Sequence, residues 1–148
     1  MTIPKDRMAA PVSSPSIVVL AVARQVENEL NQALTDLGLT VTKLGLLGHI
    51  AGMPGVSFSE LARMSGTTVQ SVHTAVKALA SAGLVQDRTA RPGSSSTIVL
   101  TPRARRLLQA ARDVVAEVDD RVFGKATDPL LRQIGTAIQS ATADDVNK

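Results

Sequence analysis

The chain has 148 residues, 44% of them hydrophobic, with a formal net charge of +3, enough for one domain with a real core, or a core shared with a partner, and too little for two independent domains. It contains no cysteine, which excludes a disulfide framework, a Cys-ligated zinc and thiol redox sensing, and suits a reducing compartment. Phe58 and Phe123 are its only Phe, Tyr or Trp residues, so the base-stacking platforms of single-strand and RNA binders are missing and duplex DNA is the better nucleic-acid partner.

Residues 1–15, with Pro4, Pro11, Pro15 and several serines, read as a mobile tail. Lys5 and Arg7 followed by IVVLAVA at Ile17–Ala23 have the outline of a secretory signal. The apolar run is short, however, and its pattern continues from Val19 and Val22 through Val26, Leu30, Leu34 and Leu37. That spacing predicts an amphipathic helix of about 20 residues. No stretch is long enough to span a membrane. Leu39–His49 reads as a second helix capped by Thr40, with Gly45 and Gly48 marking close helix packing or a weak spot near a pocket. GLLGHIAGMPG lacks the GxxxxGK[ST] pattern of a phosphate loop. His49 and His73 are the only histidines, which leaves little basis for a transition-metal site.

Ser57–Leu100 is the informative stretch. Ser57 and Glu60 form a capping box for a helix over Phe58–Ser65, Gly66 supplies a turn with positive φ, and Thr67 or Thr68 caps a second helix. Val72, Val76, Leu79 and Ala80 make the packed stripe of that helix, while Val69, Gln70, His73, Thr74 and Lys77 lie opposite. Gly83 ends it, and Leu84, Val85 and then Ile98, Val99, Leu100 are short β-type runs. Ala62, Gly66 and Val72 have the spacing of two helices that cross at a small residue, turn at a glycine and lock through a β-branched contact. This is the helix-turn-helix pattern, whose second helix enters the DNA major groove. The plain alternative is a helical hairpin that only builds core.

Charge supports the first reading. Residues 59–106 hold seven Lys/Arg against Glu60 and Asp87, a net of +5, whereas the first 58 residues balance and residues 107–148 are net negative. Basic charge is therefore concentrated on the motif, where phosphate contacts need it.

Beyond the hairpin, Thr101 and Pro102 open a long helix with the apolar stripe Leu107, Leu108, Ala111, Val114, Val115, Val118 and Val122. Asp128 and Pro129 start another with Leu130, Ile134, Ala137, Ile138 and Ala141, and residues past Asp144 read as frayed. Three amphipathic helices flanking one small module carry more apolar surface than a monomer covers, which predicts a dimer built from both chain ends. There is no catalytic constellation: no GxSxG elbow, no histidine beside an orienting acid, and adjacent Asp119 and Asp120 diverge on their helix. No enzyme activity, metal or cofactor is expected.

LTVTKLGLLGHI, then GVSFSELARMSGTTVQSVHTAVKALASAGLV, then IVLTPRARRLL resemble the MarR-type winged helix-turn-helix transcriptional regulators over about Leu39–Leu108. The most specific elements are the GLV at Gly83–Val85 and the LTP-x-A/G-R-x-L pattern after the hairpin. The resemblance implies a mainly α fold with a small β-hairpin (α+β): a winged helix-turn-helix at 39–101 flanked by dimerisation helices at 16–38 and 102–145, all within one domain at 16–148. It implies a cytoplasmic, nucleoid-associated bacterial or archaeal homodimer on a pseudo-palindromic operator, acting as a repressor and released by a small apolar or phenolic ligand. The absence of cysteine sets the chain apart from the peroxide-sensing branch.

Gln70 is then the best base reader, because its amide pairs bidentately with adenine; His73 and Thr74 follow, and Val69 meets a thymine methyl. Thr67 and Thr68 bring the helix N-terminus to phosphate, and Lys77, Arg88 and Arg91 make phosphate or minor-groove contacts. Ser94, Ser95 and Ser96 offer neutral hydrogen bonds. The hairpin departs from the family pattern, with Pro92, Gly93 and Ser94 where an Asp-Arg-Arg type sequence is common, and Val69 and Thr74 stand where arginines are frequent. These departures keep open a winged-helix protein-interaction module that has lost DNA binding.

Overall fold

The computed structural model describes residues 14–88 and 97–146; the tail reading of residues 1–13 and the roles given to Arg91, Ser94, Ser95 and Ser96 lie outside them. Among the described residues there are six α-helices and one two-stranded antiparallel sheet, divided between two compact units.

Residues 34–112 form the first unit. Helix α2 (Val41–Gly52) packs against α3 (Phe58–Ser65) and strand β2 (Ile98–Leu100), α3 packs against α4 (Val69–Ser81), and α4 packs against β1 (Val85–Asp87). The strands pair Val85 with Leu100, Gln86 with Val99 and Asp87 with Ile98. Leu47, Ile50, Leu61, Val72, Leu79 and Ile98 are almost wholly buried. Each such side chain contributes about 1.5–3 kcal/mol when removed from water.

Local chemistry sets where these helices begin and end. Thr40 accepts from the Lys43 amide and starts α2, which continues three residues past the expected end at His49. Ser57 Oγ accepts from the Glu60 amide at 3.1 Å while Glu60 Oε2 accepts from the Ser57 amide at 3.0 Å, closing the capping box at the head of α3. The Ser57 backbone N–H, then its hydroxyl, hold the Glu60 carboxyl below its ordinary 4.5, against a smaller desolvation penalty and with lesser help from Arg63. Gly66 has φ 63° and Gly83 φ 74°, a region a Cβ disfavours. Each lets the next residue's amide reach back across the helix end, Thr67 to Ala62 O and Leu84 to Leu79 O, both at 3.0 Å.

Thr101 does three things at the start of α5 (Pro102–Phe123). Its hydroxyl donates to Gly83 O at 2.7 Å, its oxygen accepts from the Ala104 amide at 3.2 Å, and its own amide donates to Leu84 O. One side chain thus caps α5 and ties it to the end of α4. Thr101→Val keeps the shape but leaves the Gly83 carbonyl and the Ala104 amide without this partner. We expect a loss of about 1–2 kcal/mol in urea unfolding, with the denaturant slope unchanged.

The second unit comprises residues up to 33 and from 113, with most of α1 (Pro15–Leu34), the end of α5, and α6 (Pro129–Val146). Val22, Val118, Val122 and Leu131 are buried. Arg121 reaches Glu29 Oε2 at 2.8 Å, with 52% and 29% of the two side chains exposed, a geometry that adds little to stability. Asp128 Oδ1 accepts from the Leu130 amide at 2.9 Å, so Asp128 and Pro129 do open α6.

Several expectations need correction. Pro15 belongs to α1 rather than to a tail, and Val19 is 61% exposed instead of lying on the packed stripe. Gly45 and Gly48 are exposed, and a Cβ on either would meet nothing within 4 Å, so close packing does not explain them. In α6 the buried side chain is Leu131, not Leu130, because Gly135 one turn later faces Phe123 so closely that a Cβ there would lie 2.7 Å from the Phe123 Cβ. That close approach sets the phase of the helix. Ala80 is exposed; it lies about 80° around α4 from Val72 at 3.6 residues per turn, off the seam made by Val72, Val76 and Leu79.

Candidate nucleic-acid interface

Helix α4 is held from inside by Val72, Val76 and Leu79, and its other face is open. Val69, Gln70, His73, Thr74 and Lys77 are all exposed, as expected from their spacing. Thr68, not Thr67, is the cap: its Oγ1 accepts from the Ser71 amide at 3.1 Å and donates to Ser71 Oγ at 2.9 Å. The Thr68 hydroxyl is therefore committed within the helix, and what the N-terminus offers an anion is backbone N–H and dipole. Thr67 is exposed in the turn before it.

The open face lines a groove of about 460 Å³ to which Phe58 and Asp87 also contribute. Gln70 makes no side-chain hydrogen bond among the described residues, leaving both amide functions for a base edge. Thr74 differs, because its hydroxyl donates to Gln70 O at 3.1 Å. It retains an acceptor oxygen and a methyl group. Lys77 forms no ion pair among the described residues, so its charge is uncompensated. Arg88 extends the hairpin ladder through its amide to Thr97 O at 2.7 Å, and its Nη2 donates to the neutral Gln86 Oε1 at 3.1 Å, which orients the guanidinium without neutralising it.

Phe58 was not legible as part of this face. Its ring stacks on His73 with centroids 3.9 Å apart and planes 22° from parallel, which holds the imidazole against α3. The available signal was thin: one of two aromatics, placed at the first turn of the preceding helix. Asp87 also lines the groove; in the sequence it reads only as an acid within a basic stretch, and a carboxylate there is unfavourable for phosphate. No group of three or more potential metal ligands occurs among the described residues. Nor is any of their helices long and apolar enough to cross a membrane.

A two-helix motif with an open second helix, followed by a short hairpin and a long helix tied back to the motif, defines a winged helix-turn-helix. A MarR-family sequence model matches residues 37–93. The HTH-type transcriptional repressor Rv2887 of Mycobacterium tuberculosis is 35% identical over 121 residues, covering 78% of this chain and 84% of that protein. The chain belongs to the MarR family. Among solved structures, Rv2887 in complex with DNA superposes with a TM-score of 0.70 at 28% identity, over 88% of this chain and 98% of that one. Its complex with salicylic acid gives 0.69 at 30%, over 89% and 98%. CouR from Rhodococcus jostii RHA1 bound to p-coumaroyl-CoA gives 0.69 at 25%, over 87% and 92%.

Proposed function

We propose that the protein is a homodimeric, sequence-specific duplex-DNA-binding repressor of a bacterial or archaeal cytoplasm, released from a pseudo-palindromic operator by a small organic ligand. The observation that carries this is the face of α4, where Gln70, His73, Thr74 and Lys77 stand exposed on a rigidly seated helix within the basic part of the chain. The similarity to a named repressor solved with DNA and with salicylic acid supports both halves of the reading. It assigns no reaction to the chain.

In this reading Gln70 reads adenine, His73 and Thr74 read neighbouring pairs, and Val69 meets a thymine methyl. The α4 N-terminus at Thr67 and Thr68 meets phosphate, Lys77 and Arg88 neutralise phosphates, and Arg91 with Ser94, Ser95 and Ser96 follows the backbone or minor groove. Selection of bound fragments from random duplex DNA tests it, with a palindromic consensus as the expected product. Enrichment of no sequence at any salt concentration would replace this reading with an interaction module.

Two predictions belong here. Phe58→Leu removes the stack that holds His73, worth about 1 kcal/mol. Discrimination at the base pair beside His73 is expected to relax while the salt dependence stays unchanged, as read by titration against single-pair operator variants. The second concerns assembly. Ile17, Val19 and Leu20 on α1 and Ile138 on α6 are each about half exposed or more, an apolar surface on the chain-end helices that a partner copy is expected to cover. The full chain is expected to sediment as a dimer at micromolar concentration and Leu20→Glu to shift it towards monomer; a monomeric parent refutes the assembly.

A further inference from the structure

His73 is seated differently from the other exposed side chains of α4. Its imidazole lies on the Phe58 ring, with centroids 3.9 Å apart and planes 22° from parallel, and makes no hydrogen bond or ion pair among the described residues. Phe58 is half-buried in the first turn of α3, directly after the Ser57–Glu60 capping box, so the platform under the imidazole is fixed. A ring stacked by one face keeps both nitrogens on its free edge. Gln70 stands three residues earlier, on the same side of the helix and in the same groove.

What that edge can read depends on its protons. Neutral imidazole carries one donor and one acceptor, whereas imidazolium carries two donors and no acceptor. In the major groove guanine presents N7 and O6, two acceptors, while adenine and cytosine each present an amine and thymine one acceptor beside a methyl. Only the cation is barred from accepting from an amine, and its preferred edge is guanine. Two features favour the cation in a complex: the face of an aromatic ring attracts a positive charge laid against it, and duplex phosphates surround a helix in the major groove with negative charge. Of the charged groups that line the groove, Asp87 on β1 favours the cation and Lys77 on α4, one turn on, opposes it. On α3, Glu60 is engaged with Ser57 and Arg63 lies in the last turn, and neither lines the groove.

We infer that His73, seated on Phe58, reads a guanine in each operator half-site as the imidazolium, so that DNA binding takes up a proton there. The inference rests on the operator reading above and adds to it a base and a charge state. Proton uptake on binding makes affinity rise as pH falls.

The test is anisotropy titration of the full chain against the operator selected from random duplex DNA, a scrambled duplex, and operator copies in which each guanine in turn is replaced by 7-deazaguanine. That analogue pairs as guanine does but has a carbon in place of N7. Affinity for the operator is expected to rise about tenfold from about pH 8 to about pH 6. At about pH 6, 7-deazaguanine at one position in each half-site is expected to weaken binding about tenfold. His73→Ala, at an exposed helical position, should lose the pH gain and show no further loss at that guanine. An equal pH gain on the scrambled duplex with no effect of 7-deazaguanine assigns the imidazolium to phosphate and overturns the inference. So does a pH gain retained in His73→Ala, or a selected operator bound independently of pH. Selection that yields no operator overturns the inference together with the reading it rests on, which separates the two failures.

Discussion

Leu61→Ala is expected to cost about 3 kcal/mol of folding stability, within the 2–5 kcal/mol seen when a fully buried leucine is truncated and its site cannot collapse. Leu61 has no exposed surface and lies in the helix that packs against both α2 and α4. The site is poorly placed to collapse, because the capping box fixes the head of α3 and the Gly66 turn fixes its tail. Met64, three residues on and 37% exposed, serves as the control. Met64→Ala should change stability by about 0.5 kcal/mol or less. Both are read from denaturant midpoints with far-UV circular dichroism, and a loss under about 1 kcal/mol for Leu61→Ala would show that α3 and α4 are not locked through this side chain.

The parts of this unit that could be read in the sequence are those set by neighbours along the chain. Ser57 with Glu60, Gly66, Gly83 and the Thr101-Pro102 pair act within three to five residues, so their spelling carries their geometry. The exposed face of α4 followed in the same way, since its opposite face had an apolar period. Where the outcome depended on a distant partner, the period misled. Leu130 and Leu131 are equally apolar, and it is Leu131, one turn before the Gly135 that closely approaches Phe123, that is buried. Gly45 and Gly48 invited a packing explanation that their open surroundings do not support. The Phe58–His73 stack joins two helices across a turn and leaves no periodic trace.

Charge attraction and base reading should separate cleanly on α4 and the hairpin. Forming a phosphate contact releases condensed counterions, so Lys77→Ala or Arg88→Ala is expected to weaken binding to every duplex and reduce the slope of log K against log salt by about 0.9 per contact, or about twice that for two half-sites. Arg88 is a suitable probe because its side chain leans on neutral Gln86, and its removal breaks no ion pair among the described residues. Gln70→Ala removes no charge and should leave the slope nearly unchanged. Its amide has no partner among the described residues to lose, so stability should hold and the whole effect should fall on DNA. The expected result is a loss of about 1–3 kcal/mol at one base pair in each half-site, with discrimination there relaxed. Titrating the parent and the three variants against the selected operator and a scrambled duplex at several salt concentrations gives both quantities. If Gln70→Ala weakens the two duplexes equally, the register assigned to α4 in the groove is wrong. If Lys77→Ala and Arg88→Ala leave the slope untouched, the positive charge of residues 59–106 serves something other than phosphate.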